Sequence, residues 1–318
     1  MPVKQLWILV LMLIAIPVMA EPSNRLFVTN ERDNTLSVIN ADTLEVEHTI
    51  DIGKRPRGIG FSEDSKLLYV VASNDNQIVA LDPQTLQIIK RIDTGEEPET
   101  FAVNPVNGFI LTSSEYDGEA TFIDPQVNEK IAVVKVGIEP EGAAISPDGQ
   151  YALVSSESSN MVHIIETDTY RVVANIVVAA RPRGLAFSRD GQFAYVASEI
   201  GREVSKISIE TLKVVKKAPI EVEGAKPMAI VVSPNGDTLY ISTGRGNSIA
   251  MFDADSLEMI ANVPVGERTW GMALSKDGKY LYSADGISGT VSVVDTEKRE
   301  RIKAIDVGSY PWGVALDD

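Results

Sequence analysis

Short apolar runs separated by polar turns succeed one another along the chain from residue 26 to its end. Residues 140–181 show the pattern, with apolar runs at 142–145, 151–154, 161–165 and 172–177. A Ser146-Pro147-Asp148-Gly149 turn follows the first run, polar residues 155–160 the second, and a further turn at 166–169 the third. Tyr, Val, Ile, Phe and Thr fill the runs, and after the first twenty residues no apolar stripe of helical period reaches helical length. Each run therefore predicts a β-strand. In the turn, proline presets φ at the first central position and glycine accepts the positive φ at its end. Related turns stand at Ser188-Arg189-Asp190-Gly191, Ser233-Pro234-Asn235-Gly236 and Ser275-Lys276-Asp277-Gly278.

One phrase keeps register through the chain. Its second position falls at Pro56, Pro98, Pro140, Pro182, Pro227, Thr269 and Pro311, with five steps of 42 residues and one of 45. Four short strands at a period near 40 describe a propeller blade. Six complete units run from 56 to 310, after which residues 311–316 supply only an innermost strand. At the other end, 26–29, 36–39 and 46–50 supply three strands without a first. Together the two ends predict a seventh blade that closes the ring and removes open sheet edges. The expected fold is all-β: a seven-bladed β-propeller of four-stranded antiparallel blades, one domain over residues 21–318.

The first twenty residues read differently. Lys4 is a positive n-region, 6–16 is an apolar run, and Val18-Met19-Ala20 ends on a small residue. This is the layout of a secretory signal peptide cut before Glu21, too short to span a bilayer, so no membrane span is expected in the mature chain. Export into a periplasm fits a 318-residue chain without cysteine. The missing cysteines also exclude disulfides, thiolate nucleophiles, cysteine zinc sites and c-type haem attachment. The net charge of -16, or -17 once Lys4 is lost, opposes nucleic-acid binding.

The phrases Leu26-Phe27-Val28-Thr29-Asn30, Leu68-Tyr69-Val70-Val71, Ser146-Pro147-Asp148-Gly149 and Asn247-Ser248-Ile249-Ala250-Met251-Phe252-Asp253 resemble those of the YVTN-repeat propellers, over essentially all of the mature chain. The signal peptide, seven units and length are further similar to the propeller proteins encoded with ABC transporters and PQQ-dependent alcohol catabolism. That resemblance implies a periplasmic accessory or sensing role, with a dehydrogenase, an ABC-transporter component or a small catabolic metabolite as partner. It carries over no catalytic residue. The tryptophan-docking pattern of PQQ dehydrogenase propellers is absent, so PQQ itself is not expected here, and the chain is expected to be a monomer.

Strand order sorts the loops onto two faces. The Ser-Pro-Asp-Gly turns share one face with the turns at Asp82, Asp124, Glu166, Asp253 and Asp295, whose repetition is explained by carboxylates accepting local backbone hydrogen bonds. The other face varies while keeping register. After the innermost proline position come Arg57, Glu99, Glu141, Arg183, Met228, Trp270 and Trp312; before it come Arg55, Glu97, Glu139, Arg181, Lys226, Arg268 and Tyr310. A third ring, after each second strand, holds Glu31, Ser73, Glu115, Glu157, Glu199, Gly244 and Gly286. These rings surround the mouth of the central channel, acidic along the arc that carries Glu99 and Glu141, basic and aromatic along the opposite arc that carries Arg268, Trp270, Tyr310 and Trp312. Only His48 and His163 are histidines, and neither falls in the rings, so histidine acid–base chemistry has no candidate there.

Two functions are compatible with this pattern. The first is a non-catalytic propeller without cofactor, which binds a small molecule or docks on a dehydrogenase or transporter component. Its binding face is Arg57, Glu99, Glu141, Arg183, Glu115, Glu157, Glu199, Arg245, Arg268, Trp270, Tyr310 and Trp312. The alternative resembles the calcium-dependent propeller hydrolases: a lactonase-like enzyme in which Glu115, Glu157 and Glu199 hold the cation.

Overall fold

The computed structural model describes residues 22–318, so the expected signal peptide lies outside the described residues. Twenty-eight strands form seven sheets, each of four antiparallel strands. Blades one to four span residues 56–93, 98–135, 140–177 and 182–219; blades five and six span 230–264 and 269–306. The seventh joins Pro311–Asp317 to Arg25–Asn30, Thr35–Asn40 and Glu45–Asp51, in the order expected from the split repeat. Its closing pair runs from Arg25 opposite Asp317 to Asn30 opposite Pro311. A single 3-10 turn, Ser73–Asp75, is the only helical segment among the described residues, and no helix there is long and apolar enough to cross a membrane.

Burial follows strand position. Second strands such as Leu68–Ala72 and third strands such as Gln77–Leu81 are buried on both faces because neighbouring blades cover them. The outermost strands alternate or stay exposed, as in Arg171–Val177. Seven apolar clusters fill the spaces between blades, with Leu153, Ile164, Val196 and Ile207 in the one between blades three and four. Every blade carries a register shift between its third and fourth strands, for example at Phe122/Ile123 and Ile164/Ile165. Such bulges add twist to the outer strand.

Near the axis the blades meet backbone to backbone. A Cβ on Gly271 would lie 2.6 Å from the Trp312 carbonyl oxygen, and one on Gly313 would lie 2.5 Å from that of Arg57. Glycine at this register position lets the innermost strands converge. The three extra residues of the 45-residue step fall in the loop before blade five, where Ile220, Val222 and Ala225 are buried in the blade four–five cluster. The turn-face carboxylates behave as expected: Asp82 Oδ1 accepts from the backbone N–H groups of Gln84 and Thr85, and Asp253 Oδ1 from those of Asp255 and Ser256.

One residue breaks the pattern. Lys206 occupies a third-strand position that is apolar in the other six blades, and it is buried. Its Nζ donates to the Ala254 carbonyl at 3.1 Å and to Asp255 at 2.9 Å, and lies 4.2 Å from the Phe193 ring centroid. The lysine straps blade four to blade five.

Candidate site at the channel mouth

In six of the seven blades the residue before the innermost proline position adopts left-handed backbone, with φ of 52° at Arg55, 50° at Glu97, 55° at Glu139, 58° at Arg181, 58° at Arg268 and 56° at Tyr310, whereas Lys226 before blade five does not. This turn aims its carbonyl at the loop after the second strand of the same blade. Glu97 thereby accepts the backbone N–H of Glu115, Glu139 that of Glu157, Arg181 that of Glu199, and Arg268 that of Gly286. Non-glycine residues tolerate this conformation only where surrounding structure fixes it. Asn76, Asn160 and Asn247 do so, their side-chain oxygens accepting the N–H groups of Glu97, Arg181 and Arg268.

The ring side chains pack over the end of the channel. Glu99, Glu141, Met228 and Trp270 are buried, and Trp312 stacks on Trp270 with centroids 6.0 Å apart and planes at 25°. Beneath them is a cavity of about 280 Å³, lined by Glu141, Arg183, Trp270 and Trp312 at the rim and by residues such as Ile59, Phe101, Leu185 and Val231 below. Tyr116 is exposed beside the acidic arc.

That arc divides into two ion-pair groups. In the first, Arg55 contacts Glu31, Glu97 and Glu99, while Arg57 contacts Glu31 at 2.9 Å and Glu99. In the second, Arg181 and Arg183 share Glu157 and Glu199, and Arg183 also reaches Glu141 at 2.8 Å. Two guanidiniums thus face three carboxylates in each group, so both carry negative charge in excess. Glu115 stands beside them and, among the described residues, has no ion pair of its own.

The acidities follow from this shortage. Burial, then the nearby charges of Glu141 and Glu97, push Glu115 up. Burial and Glu141 push Glu157 up to about 7, against the opposing pull of Arg183 and Arg181. Burial works against the Arg183 cation, but Glu141, Glu157 and Glu199 more than restore it.

Glu115, Glu157 and Glu199 do not gather around one point. The grouping able to surround an ion, among the described residues, is Glu97, Glu99 and Glu115, which can each offer an oxygen within 4.8 Å of the others. Glu157 and Glu199 are instead held by Arg181 and Arg183. The equal spacing of 42 residues matched their backbones and left side-chain direction open. Glu97, and the arginines Arg55 and Arg181 beside it in the rings, were not among the expected binding residues; their place before the innermost proline was the available signal.

An oxygen-only donor set suits a hard cation of the calcium class, with water completing its shell. Both Glu99 oxygens are buried, one facing Arg55 and the other Arg57. Arg55 and Arg57 now neutralise Glu97 and Glu99, and each also contacts Glu31. Release of the cluster to a cation therefore leaves both arginines paired. The residues fit such an ion.

Residues 170–302 match the family model described as "Lactonase, 7-bladed beta-propeller", and residues 59–179 match "YNCE-like beta-propeller". The chain is a seven-bladed β-propeller. No curated protein matches the sequence. Among solved structures, a functionally unknown protein from Desulfotomaculum acetoxidans is 20% identical, covering 92% of this chain and 98% of its own with a TM-score of 0.81. A putative 6-phosphogluconolactonase from Bacteroides fragilis is 20% identical, with the same coverages and a TM-score of 0.79. The hydrazine synthase of Kuenenia stuttgartiensis is 20% identical, covering 83% and 90%, with a TM-score of 0.74. At these identities the likeness speaks for the fold.

The expectation of a non-catalytic propeller without cofactor is corrected by the lactonase match over 170–302 and by the convergent carboxylates Glu97, Glu99 and Glu115. His48 is exposed on an outer strand, and His163 is buried between Asn175, Ser156 and the Gly137 N–H.

Proposed function

We propose that the mouth is a hydrolytic centre acting on a small lactone or related ester, with Glu97, Glu99 and Glu115 as the seat of a calcium-class cation. The observation that carries this reading is the convergence of those three carboxylates, Glu97 and Glu99 from an ion-pair group short of positive charge and Glu115 beside it. Opening a lactone needs water added to the carbonyl carbon, loss of a proton from that water, cleavage of the ring C–O bond and protonation of the released alkoxide. The products are a hydroxycarboxylate and a proton. A hard cation supplies polarisation of the carbonyl oxygen. Glu157 is the group we assign to take the proton from water and return it to the leaving oxygen, because an acidity near neutrality serves both transfers. Arg181 and Arg183 hold Glu157 in place and limit charge build-up around it.

Hydrolysis of γ-butyrolactone, followed by proton release before and after calcium is added to chelator-treated protein, tests the reading. Glu115→Gln should lose both turnover and calcium-dependent stabilisation, whereas Glu157→Gln should lose turnover alone. Wild-type protein that opens no lactone and gains no stability from calcium would refute it.

The finer resemblance to periplasmic propellers of PQQ-linked catabolism adds a second proposal, that residues 1–20 are removed on export and the substrate is a periplasmic catabolic product. Intact mass of secreted protein checks the cut before Glu21.

A further inference from the structure

The arc opposite the glutamates has the reverse imbalance. Arg245 and Arg268 take part in no ion pair among the described residues, although the chain carries a net charge of -16. The Gly244 carbonyl accepts the Thr269 N–H at 3.2 Å, which brings the backbones of Arg245 and Arg268 together, and the Arg245 charge adds to burial in opposing that of Arg268, against the smaller support of Tyr310 and Glu199. Three donors here are buried without any hydrogen-bond partner: Arg268 Nε, Trp270 Nε1 and Trp312 Nε1. The Arg268 guanidinium lies 4.7 Å from the Trp270 ring centroid, and Trp270 is 8% exposed. Its indole nitrogen faces Gly286, where a Cβ would come within 2.8 Å. At that register position other blades carry Glu31, Glu115, Glu157 or Glu199. Glycine there removes the carboxylate that the chain would otherwise offer to the indole.

Buried donors without acceptors beside unpaired cations call for an oxyanion from outside the chain. We propose that Arg268, Trp270, Trp312 and Arg245 form a subsite for an organic carboxylate, the group that lactone hydrolysis releases. The proposal rests on the hydrolase reading for its choice of carboxylate. Acid and base then divide the mouth: glutamates stand where water is activated, and the opposite arc draws the newly formed anion away from them.

The test is calorimetric titration of full-length protein with sodium 4-hydroxybutanoate, with γ-butyrolactone and inorganic phosphate as comparators. The carboxylate should bind, and added salt should weaken it. Arg268→Gln should weaken it at least tenfold. Trp270→Phe, which keeps the ring and deletes the N–H, should also weaken it, and it covers the case in which the arginine variant fails to fold. Wild-type protein with no saturable binding at roughly 10 mM overturns the proposal, as do unchanged affinity in both variants or binding of phosphate alone. Carboxylate binding that falls in the variants, in a protein that opens no lactone, would keep the subsite and remove the hydrolase reading.

Discussion

Replacing Arg57 by glutamine isolates what holds the acidic arc together. The guanidinium contacts Glu31 and Glu99; its own side chain is 12% exposed and that of Glu99 is fully buried. Without it, Glu99 keeps only Arg55, whose Nη1 lies 3.8 Å away. Deleting one partner of a buried ion pair costs about 3–5 kcal/mol, because a charge is left in a site that cannot solvate it. With Arg55 still present, the low end of that range, about 3 kcal/mol, is expected. In a domain of this size that is a fall in Tm of roughly 5 °C. Adding Glu99→Gln should return most of the loss, since a neutral amide needs no counter-charge, giving a coupling of about 2 kcal/mol in the double-mutant cycle. Urea unfolding of the four proteins near neutral pH measures this directly. Calcium should stabilise Arg57→Gln more than wild type, the cation taking the place of the lost guanidinium. A loss below about 1 kcal/mol, or a double variant as unstable as the sum of the singles, would refute the argument, because Glu99 would then not depend on the arginine for its charge.

Other consequences follow from the ring and its buried groups. Removal of residues 311–318 strips the innermost strand from blade seven, including buried Val314 and Ala315. At about 1.5–3 kcal/mol for each large buried side chain, with Trp312 and Leu316 also lost, truncation should consume most of the stability of a domain; a Tm within a few degrees of wild type would contradict closure. Gly271→Ala should cost about 1–3 kcal/mol in urea unfolding, because its Cβ meets the Trp312 carbonyl oxygen at 2.6 Å and the facing backbone cannot withdraw. His163 accepts the Gly137 N–H at Nε2, and burial holds its acidity below the ordinary 6.5. The unfolded chain therefore takes up the proton first, so the stability given by the neutral ring is present above about pH 6.5 and is lost as pH falls toward the folded value. The advantage of wild type over His163→Asn should shrink on acidification, and an unchanged difference would count against the assignment.

Much of the fold was readable because its determinants are local and repeated. The Ser-Pro-Asp-Gly turn at 146–149 sets its own backbone, and the 42-residue step locates each innermost strand. The split blade followed from counting strands at both ends. The site was readable only as rings of positions. Which carboxylates meet depends on the left-handed turn at Glu97, which ties it to Glu115, and on the reach of Arg181 and Arg183 toward Glu157 and Glu199. Spacing along the chain places Cα atoms and leaves side-chain direction open. Lys206 escaped notice for a related reason, since the residues that receive its charge, Ala254 and Asp255, lie in the next blade.

Glu97, Glu99 and Glu115, whose oxygens lie within 4.8 Å of one another, are proposed as one cation site on which hydrolysis depends. Calorimetric titration of chelator-treated protein with calcium tests it most directly. One ion per wild-type chain and none in Glu115→Gln are expected, with both proteins folded. Absence of binding to wild type, or equal binding to the variant, would contradict it.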